Sequence, residues 1–77
     1  MTEHDAAPND EIMVFVNGAE RRLPAGGTAH DLLTAVGLAG RPVAVEVNEV
    51  VVPRAALSER ILKDQDRLEI VTLVGGG

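Results

Sequence analysis

The sequence predicts an α+β domain of order ββαββ, a mixed sheet with one helix packed across it. Apolar residues alternate with period two at both ends of the chain and in its middle, which is strand spacing. Only between residues 28 and 37 does the spacing become that of a helix. The core must also be built almost without rings. Hydrophobic residues make up 45% of the chain and Phe15 is the only aromatic, so Val, Leu, Ile and Ala fill it, a β-branched composition that favours sheet.

Residues 1–11 lack apolar periodicity and contain Pro8-Asn9-Asp10, so they read as a disordered leader before a domain over 12–74. In "IMVFVNGAERRLP", Ile12, Val14 and Val16 share one strand face, Asn17-Gly18 is a favoured hairpin turn, and Leu23 ends the return strand. In "GGTAHDLLTAVGL", Thr28 is the N-cap with Asp31 three residues on. Leu32, Leu33 and Val36 form the stripe, and Gly37 suits the stop. About ten residues of helix are marginal alone, so the stripe must dock on the hairpin.

Val43, Val45 and Val47 then alternate with Ala44 and Glu46, and "VVVP" is a brief second run cut off by Pro53. The stretch from Arg54 to Leu62 has room for a short helical turn, "KDQD" is a turn, and "RLEIVTL" is the last strand. Alternation points Leu68 and Ile70 inward and Glu69, Val71 and Leu73 outward, while Phe15 opposes Val14 and Val16 in parity. A hairpin, one right-handed crossover helix and a closing strand fold compactly in few ways. That arrangement is the β-grasp, the ubiquitin-like fold.

With 77 residues the chain is one domain, burying only about 60% of its unfolded surface. It has no Cys, which removes disulfides, a thiol nucleophile and Cys-rich zinc sites. No signal peptide and no apolar stretch near the roughly 18 residues of a membrane span is present, so a cytoplasmic protein without a membrane partner is expected. Seven basic against 12 acidic side chains give −5, which argues against nucleic acid and leaves room for a basic protein surface.

The chain closes on "LVGGG". Gly75, Gly76 and Gly77 read as a flexible tail that something must approach closely, since they carry no Cβ. Phe15, Glu69, Val71, Leu73 and Val74 are the candidate partner-binding residues, with an apolar centre and an acidic rim. No catalytic constellation is present. His4 and His30 lack companions at metal-ligand spacing, so His30 reads as a surface residue and no metal site is expected. Gly26-Gly27 lacks the phosphate-loop frame and reads as a turn into the N-cap, and Arg21-Arg22 read as solvated. Arg54, after Pro53, is placed to meet a partner.

From about Met13 to Gly77 the chain resembles the ThiS family, sulfur carriers of thiamine thiazole synthesis. The resemblance rests on "VNG", the helical "LL", "VAVEVN" followed by "VVPR", "DRLEIVT" and the terminal "GG". It departs at two turns, Asn48-Glu49-Val50 and Asp64-Gln65-Asp66, where such proteins often have glycine in the middle. If these turns need positive φ, each costs on the order of 1 kcal/mol relative to Gly.

The resemblance implies a non-enzyme that binds no cofactor. Its Gly77 carboxylate would be adenylated by a ubiquitin-activating-type (ThiF-like) adenylating enzyme using ATP and Mg²⁺. A sulfur donor system would convert the adenylate to a thiocarboxylate for thiazole synthase (ThiG-like), and the carrier itself would be a monomer. Sulfur delivery to molybdopterin or another metabolite, conjugation through Gly77 as a ubiquitin-like modifier, and a plain β-grasp binding module stand as alternatives.

Overall fold

A computed structural model describes residues 10–73. The strands are β1 (Glu11–Val16), β2 (Ala19–Pro24), β3 (Val43–Val47), β4 (Val50–Val52) and β5 (Arg67–Thr72), with one helix, α1 (Ala29–Ala35), and a 3-10 turn, Arg54–Ala56. The ββαββ frame is present, and the brief valine run adds a fifth strand at one edge, giving the order β2-β1-β5-β3-β4. β1 and β5 pair in parallel, and the other three pairings are antiparallel. The last strand in sequence is therefore the middle strand in space.

The leader expected over residues 1–11 is too long at its C-terminal end. Glu11 lies in β1 opposite Pro24, and Ala25 N–H donates to Asp10 C=O at 2.9 Å. Charge and proline next to the first apolar residue hid a strand start that only pairing with β2 defines.

Both hairpins close in the same way. Asn17 and Gly18 have φ 51° and 87°, and Asn48 and Glu49 have 51° and 70°. Two successive positive φ values match the twist of paired strands, and Asn tolerates that region better than most residues. The expected departures are real ones, since Glu49 and Gln65 (φ 75°) occupy backbone that Gly adopts without strain.

Helix α1 is seven residues between its caps Thr28 and Val36, and the expected glycine stop follows directly. Gly37 sits at φ 81°, its N–H donates to Thr34 C=O at 3.1 Å, and Leu38 N–H reaches Leu33 C=O at 2.8 Å. This is the Schellman pattern, in which a left-handed residue lets the chain satisfy the last carbonyls. At the other end Thr28 Oγ1 accepts from Asp31 N–H at 3.1 Å, and Asp31 Oδ2 accepts from Thr28 N–H at 3.0 Å. The next donors go to the connector before β5: Ala29 N–H to Arg60 C=O and His30 N–H to Leu57 C=O. Every N–H of the first turn thus has a partner, which a short helix needs.

The core lies between this helix and one sheet face. Val14, Val45, Val47, Leu68 and Leu32 are essentially sealed, and Leu23, Leu33, Val52 and Ile70 complete the layer. Ile12, Val16 and Val36 pack partly buried against it. Leu57 and Leu62 from the connector are buried as well, closing the core from below. Gly27 is fixed by packing: a Cβ there would meet Leu23 Cδ1 at 2.8 Å and Pro24 O at 3.1 Å.

Candidate functional site

The helix covers one face of the sheet, so register fixes what the other face carries. Phe15 stands beside Arg67, Glu46 faces Glu69, and Ala44 faces Val71. Val51 flanks Glu46 on the edge strand. Val71 and Leu73 are 57% and 51% exposed, too open for core residues and adjacent to each other on one strand face. The alternation read from the sequence therefore holds from Arg67 to Val71, with Leu68 and Ile70 buried beneath the open face, and ends at Thr72, which is exposed.

Of the candidate partner-binding residues, Phe15, Glu69, Val71 and Leu73 lie on this face, but they do not form one patch. Phe15 is level with Arg67, whose guanidinium carbon lies 5.8 Å from the ring centroid. Four residues of β5, roughly 13 Å, separate that rung from Val71. Between them lies the Glu46–Glu69 rung. The face thus has an aromatic–cationic end, an acidic middle and an apolar end at Ala44, Val71 and Leu73. Sequence alternation found the face but not the parallel offset of β1 against β5, and so it placed Phe15 in the apolar centre. Glu46, Ala44 and Arg67 were missed because their neighbours come from distant segments.

At the apolar end the chain leaves the sheet. Leu73 N–H still donates to Pro42 C=O at 2.8 Å, so pairing persists through the last described residue. Val74, Gly75, Gly76 and Gly77 lie outside the described residues.

Two side chains clamp the strand that leads to this exit. Asn17 Nδ2 donates to Ile70 C=O at 3.0 Å and its Oδ1 accepts from Ile70 N–H at 2.8 Å, so a side-chain amide stands in for the next residue of β1. On the other flank Asn48 Oδ1 accepts from Arg67 N–H at 2.9 Å, and Asn48 N–H donates to Arg67 C=O at 2.7 Å. Asn48 Nδ2 then donates to Asp66 Oδ1 at 2.9 Å, while Asp66 Oδ2 accepts from Lys63 N–H at 2.8 Å. Asp66 is the one buried charged side chain among the described residues, and these bonds satisfy it. Asp64 Oδ1 takes Met13 N–H at 2.8 Å, tying the preceding turn to β1.

Among the described residues no group of three or more His, Cys, Asp or Glu side chains is placed to hold a metal ion. No helix among them is long and apolar enough to cross a membrane. His30 is exposed on the first turn of α1.

A mixed sheet wrapped on one helix, with its middle strand running out toward the C-terminus, defines a ubiquitin-like β-grasp protein. The chain belongs to the ThiS family, whose match covers residues 9–77. It is similar to the crystal structure of a thiamine biosynthesis protein (ThiS) from Geobacter metallireducens, with a TM-score of 0.71 and 32% identity over 86% of this chain and all of that one. It is 26% identical to the sulfur carrier protein ThiS of Escherichia coli, covering 86% of this chain and 100% of that protein. It is also 42% identical over 66 residues to a thiazole synthase of Paramagnetospirillum magneticum, of whose length it spans only 20%.

Proposed function

We propose that this protein is a sulfur carrier for thiazole formation in thiamine biosynthesis. The observation that carries the reading is that the family match runs through to residue 77 and so includes the terminal glycines, which follow the middle strand of the sheet. A ThiS-like segment within thiazole synthases supports thiazole synthase as the acceptor of the sulfur.

A carboxylate resists nucleophiles because of its charge and its poor leaving group, so it must be activated first. A Gly77 carboxylate oxygen attacks the α-phosphorus of ATP on an adenylating enzyme, and pyrophosphate leaves. A hydrosulfide delivered by a donor system then attacks the acyl carbon, AMP leaves with the bonding electrons, and the thioacid gives up its proton. The product is a thiocarboxylate whose sulfur is the nucleophile toward the thiazole precursor. ATP, Mg²⁺ and the catalytic groups belong to the partners, and this chain supplies only its terminus. Terminal glycines let the acyl carbon be approached without Cβ obstruction. The open face carrying Val71, Leu73, Glu46 and Glu69 docks outside the partner's channel.

Intact-mass analysis of the protein from its native cells tests the reading. Exchange of one oxygen for sulfur, confined to the C-terminal peptide, is expected; a terminus that is never modified, or one found only in isopeptide bonds to other proteins, overturns it. Deleting Gly76 and Gly77 should leave the circular dichroism spectrum unchanged and abolish ATP–pyrophosphate exchange by the adenylating enzyme.

A further inference from the structure

On the helix side of the sheet, away from the docking face, the rim of a small hollow is formed by His30, Arg41 and Arg54, over a floor of Leu33, Val43 and Leu57. Its volume, about 190 Å³, is below the range of sites for drug-sized ligands and suits a group of a few atoms. Its charge runs against that of the molecule. The chain carries 12 acidic and seven basic side chains, yet the charged residues lining this hollow are two arginines with no acid among them.

None of His30, Arg41 and Arg54 forms an ion pair with a described residue. Arg54 is nevertheless held, because its Nη2 donates to Arg41 C=O at 3.2 Å. That bond occupies one donor of a five-donor fork and leaves the others free for a planar anion. Arg41 and Arg54 line one hollow that holds no acidic side chain, and an oxyanion there supplies the missing charge while accepting charge-assisted hydrogen bonds.

The position of the hollow adds the second argument. Val43, on its floor, is paired with Thr72, and Pro42, beside Arg41, accepts the hydrogen bond of Leu73. The floor of the hollow at Val43 therefore lies one strand spacing, roughly 5 Å, from Thr72, next to the point where the chain leaves the sheet. The four residues after Leu73 span up to about 14 Å when extended. We propose that the His30–Arg41–Arg54 hollow is a carboxylate-binding site. Two sources share that chemistry: the terminal carboxylate of the chain itself, parked when no partner holds it, and an acidic side chain of a partner. The site stands independently of sulfur transfer, because it requires only the anion and these side chains.

The test is an acetate titration of the 77-residue chain, with chloride at equal ionic strength as the control for screening. Side-chain ¹⁵N–¹H resonances of Arg41 and Arg54 and the ring resonances of His30 are followed by NMR. The same titration is run on a chain amidated at Gly77, which removes the terminal charge without shortening the tail. Shifts specific to acetate that saturate are expected, with affinity about tenfold lower in the Arg41→Gln/Arg54→Gln variant. Tighter acetate binding by the amidated chain assigns the site to the chain's own terminus. Equal binding by both chains supports the site and removes the chain's own terminus as its occupant. Arg54→Lys, which keeps the charge and loses the fork, should bind more weakly than the parent and guards against loss of fold in the double variant. No acetate-specific shift in either chain, or the same shift in the glutamine variant, overturns the proposal.

Discussion

At Asn17 one side chain serves a turn and a sheet at the same time. Its backbone lies at φ 51°, and its amide pairs with both polar groups of Ile70, 53 positions away. Replacing it by Gly separates the two roles, since Gly adopts the turn more readily but has no amide. Asn17→Gly is expected to lower unfolding free energy by about 1 kcal/mol in urea denaturation, the net value of such hydrogen bonds outweighing relief in the turn. The opposite sign is expected at Glu49 and Gln65, whose side chains make no bond that requires positive φ. Glu49→Gly and Gln65→Gly should each raise stability by up to about 1 kcal/mol in the same assay, with additive effects at well-separated turns. Asn17-Gly18 was legible as a turn because that dipeptide carries a local signal. Its grip on Ile70 was not, because register between distant segments is set by the assembled core.

Among the elements, α1 depends most on its ends. Seven residues cannot persist by propensity, and this helix is held by the capping box, the Gly37 stop and carbonyls of the connector at Leu57 and Arg60. Thr28→Ala should cost about 1 kcal/mol in thermal or urea unfolding. Amide exchange should locate the loss, with protection falling first at Thr28 and Asp31. The cap, the stripe of Leu32 and Leu33 and the stop at Gly37 could be read from the sequence because all three are spacing signals within one turn or two. Burial of Leu57 and Leu62 could not be read, since their segment has neither period and gains its order from bonds to Gly27, Ala29 and His30. The edge strand β4 was legible as a valine run, and its brevity follows from Pro53, which has no N–H to continue the ladder.

For the molecule as a whole, the open face places two carboxylates directly opposite each other at Glu46 and Glu69. Like charges across a strand pair destabilise by a few tenths to about 1 kcal/mol. A sheet under no other demand would exchange one of them. Glu69→Lys is therefore expected to stabilise the isolated domain, by about 0.5 kcal/mol at low salt. The same variant should weaken association with a basic partner surface, seen as a slower on-rate that adding salt to the parent reproduces. A Glu69→Lys chain that binds the proposed adenylating enzyme with unchanged kinetics would remove the acidic rung from the proposed docking face. The face itself could be found by alternation along β5, whereas its division into three zones required the offset between β1 and β5, a property of no single segment.

The middle position of β5 has a mechanical consequence. An enzyme that draws the C-terminus into a narrow channel applies tension along this strand. A strand at the sheet edge would yield by peeling, one bond after another. Here the load would enter along the β3 ladder, and deeper in the sheet β1 adds a second flank at Arg67 and Leu68, so that the strand is held in shear with the Asn17 and Asn48 side chains as added rivets. Under such a pull the folded body would act as a grip that does not slip.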